Sequence, residues 1–170
     1  MTTIQPPDHL PLLNFFTFHL NRLYYAKAHL IGKLPELQKL SRIPTLTTAL
    51  EKMAEDLRLQ INRIELIFTL LDKGLDSGAA LSIGRMAECI YQDAAKENDS
   101  TFGNLSILYY LEVLEGIEIS CFKLLRMAAV KLDNRQVKQL LRENYENAKD
   151  MRTLLLLIAT ELITGDSTKL

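Results

Sequence analysis

Three glutamates, Glu112, Glu115 and Glu118, stand three residues apart in the stretch LEVLEGIE, residues 111–118. Paired carboxyls can divide the work of a general acid and a general base when their surroundings push their proton affinities apart. On a helix, however, such a row usually holds one inward and two outward side chains. Lys27 raises a different question. In LYYAKAHLIGKLPEL, residues 23–37, apolar residues recur at helical spacing and the lysine falls on their face. An ammonium has three donors and no acceptor, and burying it without a partner is costly. Either it pairs with buried carboxylates, with Glu118 as the natural partner and Glu115 or Asp56 as helpers, or it snorkels to the edge.

The other chemistry-bearing residues are sparse. His9, His19 and His29 are the only histidines. Ten residues of helix make about 2.8 turns, which puts His19 and His29 roughly 15 Å apart along the axis, so they cannot share a metal within one chain. They read as surface or half-exposed residues. No glycine-rich phosphate loop is present, and no serine sits in a nucleophile elbow. The chain therefore does not read as an enzyme.

The elements that must carry these residues are helices. The chain has 170 residues, 48% hydrophobic and 24% charged, with seven glycines and five prolines and no strand-like alternation. That length suits one domain with a core large enough to need no staples. Net charge is −1 with both signs interspersed, which points to neither nucleic acid nor an anionic membrane. MTTIQPPDHLP lacks the basic and apolar regions of a signal peptide, and LLLLIA at 154–159 is far short of the roughly 20 residues that span a bilayer. A cytoplasmic protein is expected. Cys89 and Cys121 read as small apolar fillers in a reducing compartment, with a disulfide between them the less favoured option.

Apolar periodicity predicts long helices over Leu12–Leu40, Thr45–Lys73, Phe102–Leu132 and Gln136–Ile163, and a shorter one over 80–96. Pro35 should kink or break the first, and Gly74 should cap the second. Residues 1–11 form an N-terminal extension, 12–164 the helical bundle and 165–170 a tail. Two tight hairpins joined by a long connection is the all-α arrangement of ferritin-like four-helix bundles, here with an additional short crossover helix. Leu23, Lys27, Leu30 and Leu34 also align with Leu114, Glu118, Cys121 and Leu125. Each hairpin thus sets one charged residue in an apolar stripe.

In its ordered motifs the chain resembles the YciF-type ferritin-like proteins, a bacterial stress-associated group of poorly defined function. The first helix of that family typically reads L-Y-x-A-E-x-x-L-x-x-x-L-P. Leu23, Tyr24, Ala26, Leu30, Leu34 and Pro35 match it, and Lys27 stands where the glutamate belongs. In the second helix Asp56, Gln60, Arg63, Ile64, Glu65, Ile67, Phe68, Leu70 and Leu71 fit, with Asp56 replacing a glutamate. In the third, Glu115, Glu118 and Ile119 match, Gly116 replaces a histidine and Phe122 a tyrosine. In the fourth, Glu143, Glu146 and Asp150 are retained and Asn147 replaces an acid. The similarity covers roughly residues 12–163.

A dimetal carboxylate centre in such a bundle needs inward acids plus Glu-x-x-His pairs, and hard divalent ions need anionic oxygen and imidazole. No Glu-x-x-His occurs in this sequence. The resemblance thus implies a degenerate site: a buried polar network of Lys27, Asp56, Gln60, Glu115, Glu118, Glu146 and Asn147, with no catalytic residue, no metal ligand set and no cofactor. The expected function is a non-enzymatic structural or stress-associated interaction module that forms a homodimer and serves an unnamed protein partner. The alternative is a metal-binding relative that holds or oxidises iron or manganese through the remaining carboxylates. Leu154–Ile158 and the aromatic run at 15–18 carry more apolar residues than one helix face can bury, so part of that surface should lie between chains.

Overall fold

The computed structural model describes residues 8–76 and 100–166, together with positions 92 and 96. All of the expected 80–96 helix but positions 92 and 96, Cys89, and most of the extension and tail lie outside these residues. Among the described residues four long helices occur in the order α1 (His9–Leu40), α2 (Pro44–Leu70), α3 (Ser100–Ala129) and α4 (Arg135–Thr164). No strand is present among the described residues, and no helix there is long and apolar enough to cross a membrane.

The helix ends follow from local chemistry, and two differ from expectation. The first helix ends at Leu40 as expected, and Pro35 does not break it: α1 continues for five residues beyond the proline. Its ring faces solvent, while Leu30, Leu34 and Leu37 on either side are buried. Burial of those leucines outweighs the roughly 3 kcal/mol that an interior proline costs. The second helix stops earlier than Gly74. Asp72 takes the left-handed conformation (φ 51°), and the Lys73 N–H returns to the Phe68 carbonyl. This is a Schellman closure in which aspartate stands where glycine usually does. The third helix tightens after Ala129: Val130, Lys131 and Leu132 donate to carbonyls three residues back, a 3₁₀ turn rather than further α-helix. At the start of α4 the Asn134 side chain accepts from the Gln136 and Val137 N–H groups, and Gly165 at φ 72° closes its far end.

Helix α1 packs on α2 and α3, and α4 packs on the same two. Each packed pair is antiparallel. In α1 and α2, Tyr24 meets Glu65 and Lys27 meets Gln60. In α3 and α4, Glu112 meets Arg152. Asp76, just past α2, bonds Asn21 near the start of α1, whereas Asn104, near the start of α3, accepts from Arg42 in the α1–α2 turn. Helices α2 and α3 therefore run parallel, as two hairpins joined by a lengthwise crossover require.

The core falls into two clusters, one above the other. One gathers Leu34, Leu50, Leu57, Leu111 and Leu155 with their neighbours. The other gathers Phe16, Leu20, Ile64, Phe122 and Leu141 with theirs. Between them every helix interrupts its apolar stripe at one level: Lys27 in α1, Gln60 in α2, Glu115 and Glu118 in α3, and Asn144 in α4 are all buried.

Candidate functional site

Lys27 is fully buried. Leu23 and Leu30, on its own face, fix the direction of its stem, and both are buried. Its ammonium donates to the Glu118 carboxylate and to Gln60 Oε1 at 2.5 Å. It also stands over the Phe122 ring, 5.4 Å from the centroid, so that α2 supplies one of its contacts and α3 two. Gln60 is held from behind, because the Asn144 side-chain amide donates to the Gln60 backbone carbonyl at 3.3 Å. The layer is thus tied across α1, α2, α3 and α4.

Glu115 lies one turn before Glu118 and is equally buried, yet its Oε2 has no hydrogen-bond partner. Burial pushes its carboxyl well above the ordinary carboxylate range; the Glu118 charge adds to this, Lys27 opposes it and Asp56 adds a little more. Burial beside Glu118 thus favours the protonated form of Glu115 more than water does.

The remaining site residues lie apart from this pair. Asp56 accepts from Lys52 of its own helix at 2.6 Å. The Glu146 side chain is 45% exposed and takes Lys149 at 3.0 Å. Asn147 accepts from Arg63 at 2.6 Å, and the same guanidinium reaches Asn144 at 3.3 Å and Glu143 at 3.0 Å. Arg63 thus clamps α2 to α4 beside the layer. Glu112, the outer member of the glutamate row, pairs with Arg152 of α4. A Cβ added at Gly116, where the related family carries histidine, would meet nothing within 4 Å.

Two participants escaped the sequence reading. Asn144 carried the same signal as Lys27, a polar residue inside the apolar stripe Val137, Leu140, Leu141, Ala148 and Met151. Arg63 as a clamp had no such signal, since its partners lie more than 80 residues away. Of the histidines, His9 and His29 are exposed. His19 is wedged between Phe15 and Phe18, and burial, helped by Arg22, lowers its pKa. Cys121 is half-buried, and burial raises its thiol. No group of three His, Cys, Asp or Glu side chains among the described residues is arranged to hold a metal ion.

The fold is one already seen. The chain superimposes on the crystal structure of the E. coli stress protein YciF with a TM-score of 0.85, at 18% identity over 91% of this chain and 98% of that one. It matches YcfI of Rhodopseudomonas palustris, proposed to be a structural protein, with a TM-score of 0.80, at 21% identity over 91% and 96% of the two chains. No curated protein sequence matches. Residues 12–167 match the family described as a domain of unknown function, DUF892. Four antiparallel-packed helices around one polar layer, the superpositions and a family match over nearly the whole chain agree, and the chain belongs to the DUF892 family.

Proposed function

We propose that this chain is a non-enzymatic, structural member of its family, a helical scaffold for protein association in which an internal ion pair takes the place of a dimetal centre. The observation that carries the reading is the Lys27 ammonium, buried at the middle of the bundle and committed to Glu118 and Gln60. The donors present do not fit a divalent ion. A cation already occupies the place nearest Glu118, and a second cation would be repelled from it. Burial favours the protonated form of Glu115, which makes it a poor source of anionic oxygen. Asp56 and Glu146 answer to lysines on their own helices, and glycine stands where an imidazole would be needed.

YciF is a stress protein and YcfI is proposed to be structural, and the same roles are taken here for this chain. It works in the cytoplasm as a homodimer. Exposed Phe15 and Phe18 at the start of α1, and exposed Leu157 and Ile163 toward the end of α4, supply apolar surface for the contact between copies.

Elemental analysis of purified protein after loading with iron(II) or manganese(II) and desalting tests the reading. Wild type should retain well under one metal per chain. The variant Lys27→Glu removes the competing cation and supplies a carboxylate, so it should retain more. Stoichiometric metal in wild type, lost on Glu118→Gln, would overturn the proposal in favour of a metal-binding protein.

A further inference from the structure

The charges are mixed along most of the chain but not at the α3–α4 hairpin. Residues 123–142 hold Lys123, Arg126, Lys131, Arg135, Lys138 and Arg142 against one carboxylate, Asp133, a net +5 in a chain whose total is −1. The two helices shape these residues into an open groove with a volume of about 1040 Å³. Lys123, Arg126, Arg135, Lys138 and Arg142 border it, and no acidic residue lines it. Its apolar residues are Met127 and Val130, which are 69% and 64% exposed. Arg126 lies over the Tyr145 ring at 4.7 Å, and Lys138 approaches Asp133 only at 3.9 Å. Lys123, Arg135 and Arg142 are exposed and carry no ion pair among the described residues.

We propose that this groove binds an acidic amphipathic helix of a protein partner, with Met127 and Val130 receiving the helix's apolar stripe and Lys123, Arg135 and Arg142 pairing with its carboxylates. The surface has both halves of helix-in-groove recognition, an apolar floor and a charged rim. Methionine suits such a floor because its flexible thioether follows the shape of its guest. Other anionic partners match less of it. A phosphate backbone would use the cations but leave Met127 and Val130 unburied, and no aromatic residue lines the groove for bases to stack on. A bilayer surface is flat, whereas this open groove between two helices would take a convex rod. The inference extends the reading of the chain as an association scaffold, but it does not depend on what the polar layer holds, so metal loading and peptide binding fail separately.

Fluorescence anisotropy tests it on the whole chain. The probe is a labelled peptide of about 14 residues, roughly four turns, with leucines at i, i+3, i+4 and i+7 and glutamates elsewhere. It should bind wild type, and the affinity should fall as salt rises. The same composition scrambled to destroy the stripe, and a version with lysine for glutamate, should each bind at least tenfold more weakly. The double variant Arg135→Glu/Arg142→Glu should lose at least tenfold, with an unchanged circular-dichroism melt because both side chains are exposed. Met127→Ser, which adds no charge, should weaken binding without altering the salt slope. Equal binding of the scrambled peptide would overturn the proposal. So would indifference to the charge reversal, or binding of a single-stranded oligonucleotide or of phosphatidylglycerol vesicles but not of the peptide.

Discussion

Replacing Lys27 by methionine keeps most of the side chain's volume and removes its charge, so the variant isolates what the ammonium does. The wild-type pair is buried on both sides. Removing one partner of such a pair costs about 3–5 kcal/mol, because the other charge is left without compensation. Lys27→Met should therefore destabilise by about 3–5 kcal/mol. Urea unfolding followed by circular dichroism measures this against wild type. The double variant Lys27→Met/Glu118→Leu removes both charges and should recover most of the loss, since apolar replacement of a buried pair is often neutral or better. A loss below about 1 kcal/mol would refute the account of a compensated buried charge.

Glu115→Gln tests the raised carboxyl. A carboxyl raised in the folded state contributes stability that is full below its unfolded value, near 4.3, and is lost as pH rises through the folded value. The glutamine variant should therefore match wild type in acid and exceed it progressively as pH rises; a constant difference across pH in urea midpoints would contradict this. Asn134→Ala removes a cap that accepts two N–H groups and should cost about 1 kcal/mol, read as a lower urea midpoint. Gly165→Ala places a side chain on a left-handed residue (φ 72°) and should cost on the order of 1 kcal/mol, with the end of α4 exchanging amide hydrogens faster. Light scattering at tens of micromolar should give the mass of a dimer for wild type, and Phe18→Glu/Leu157→Glu should shift it toward monomer; a monomeric wild type would remove the self-association proposal.

The all-helical architecture was legible in the sequence because the hydrophobic period is a local property. Leu13, Phe16, Leu20 and Leu23 announce one buried face whatever they pack against. The inward aim of Lys27 was legible for the same reason, and Asn144 could have been found by the same rule. The lysine partners of Asp56 and Glu146 were also within reach, since Lys52 and Lys149 stand four and three residues away on the same helix faces. What the sequence left open depends on distances between helices. Whether Lys27 met carboxylates or snorkelled outward turned on α3 presenting Glu118, and α2 presenting Gln60, at its level. The raised proton affinity of Glu115 turned on its burial beside Glu118. The continuation of α1 through Pro35 turned on the leucines packed on either side of it. In each case a local preference competes with an energy that exists only once the helices are assembled. Desolvation, ion pairing and burial belong to the neighbourhood rather than to the residue, and only the tertiary structure sets that neighbourhood.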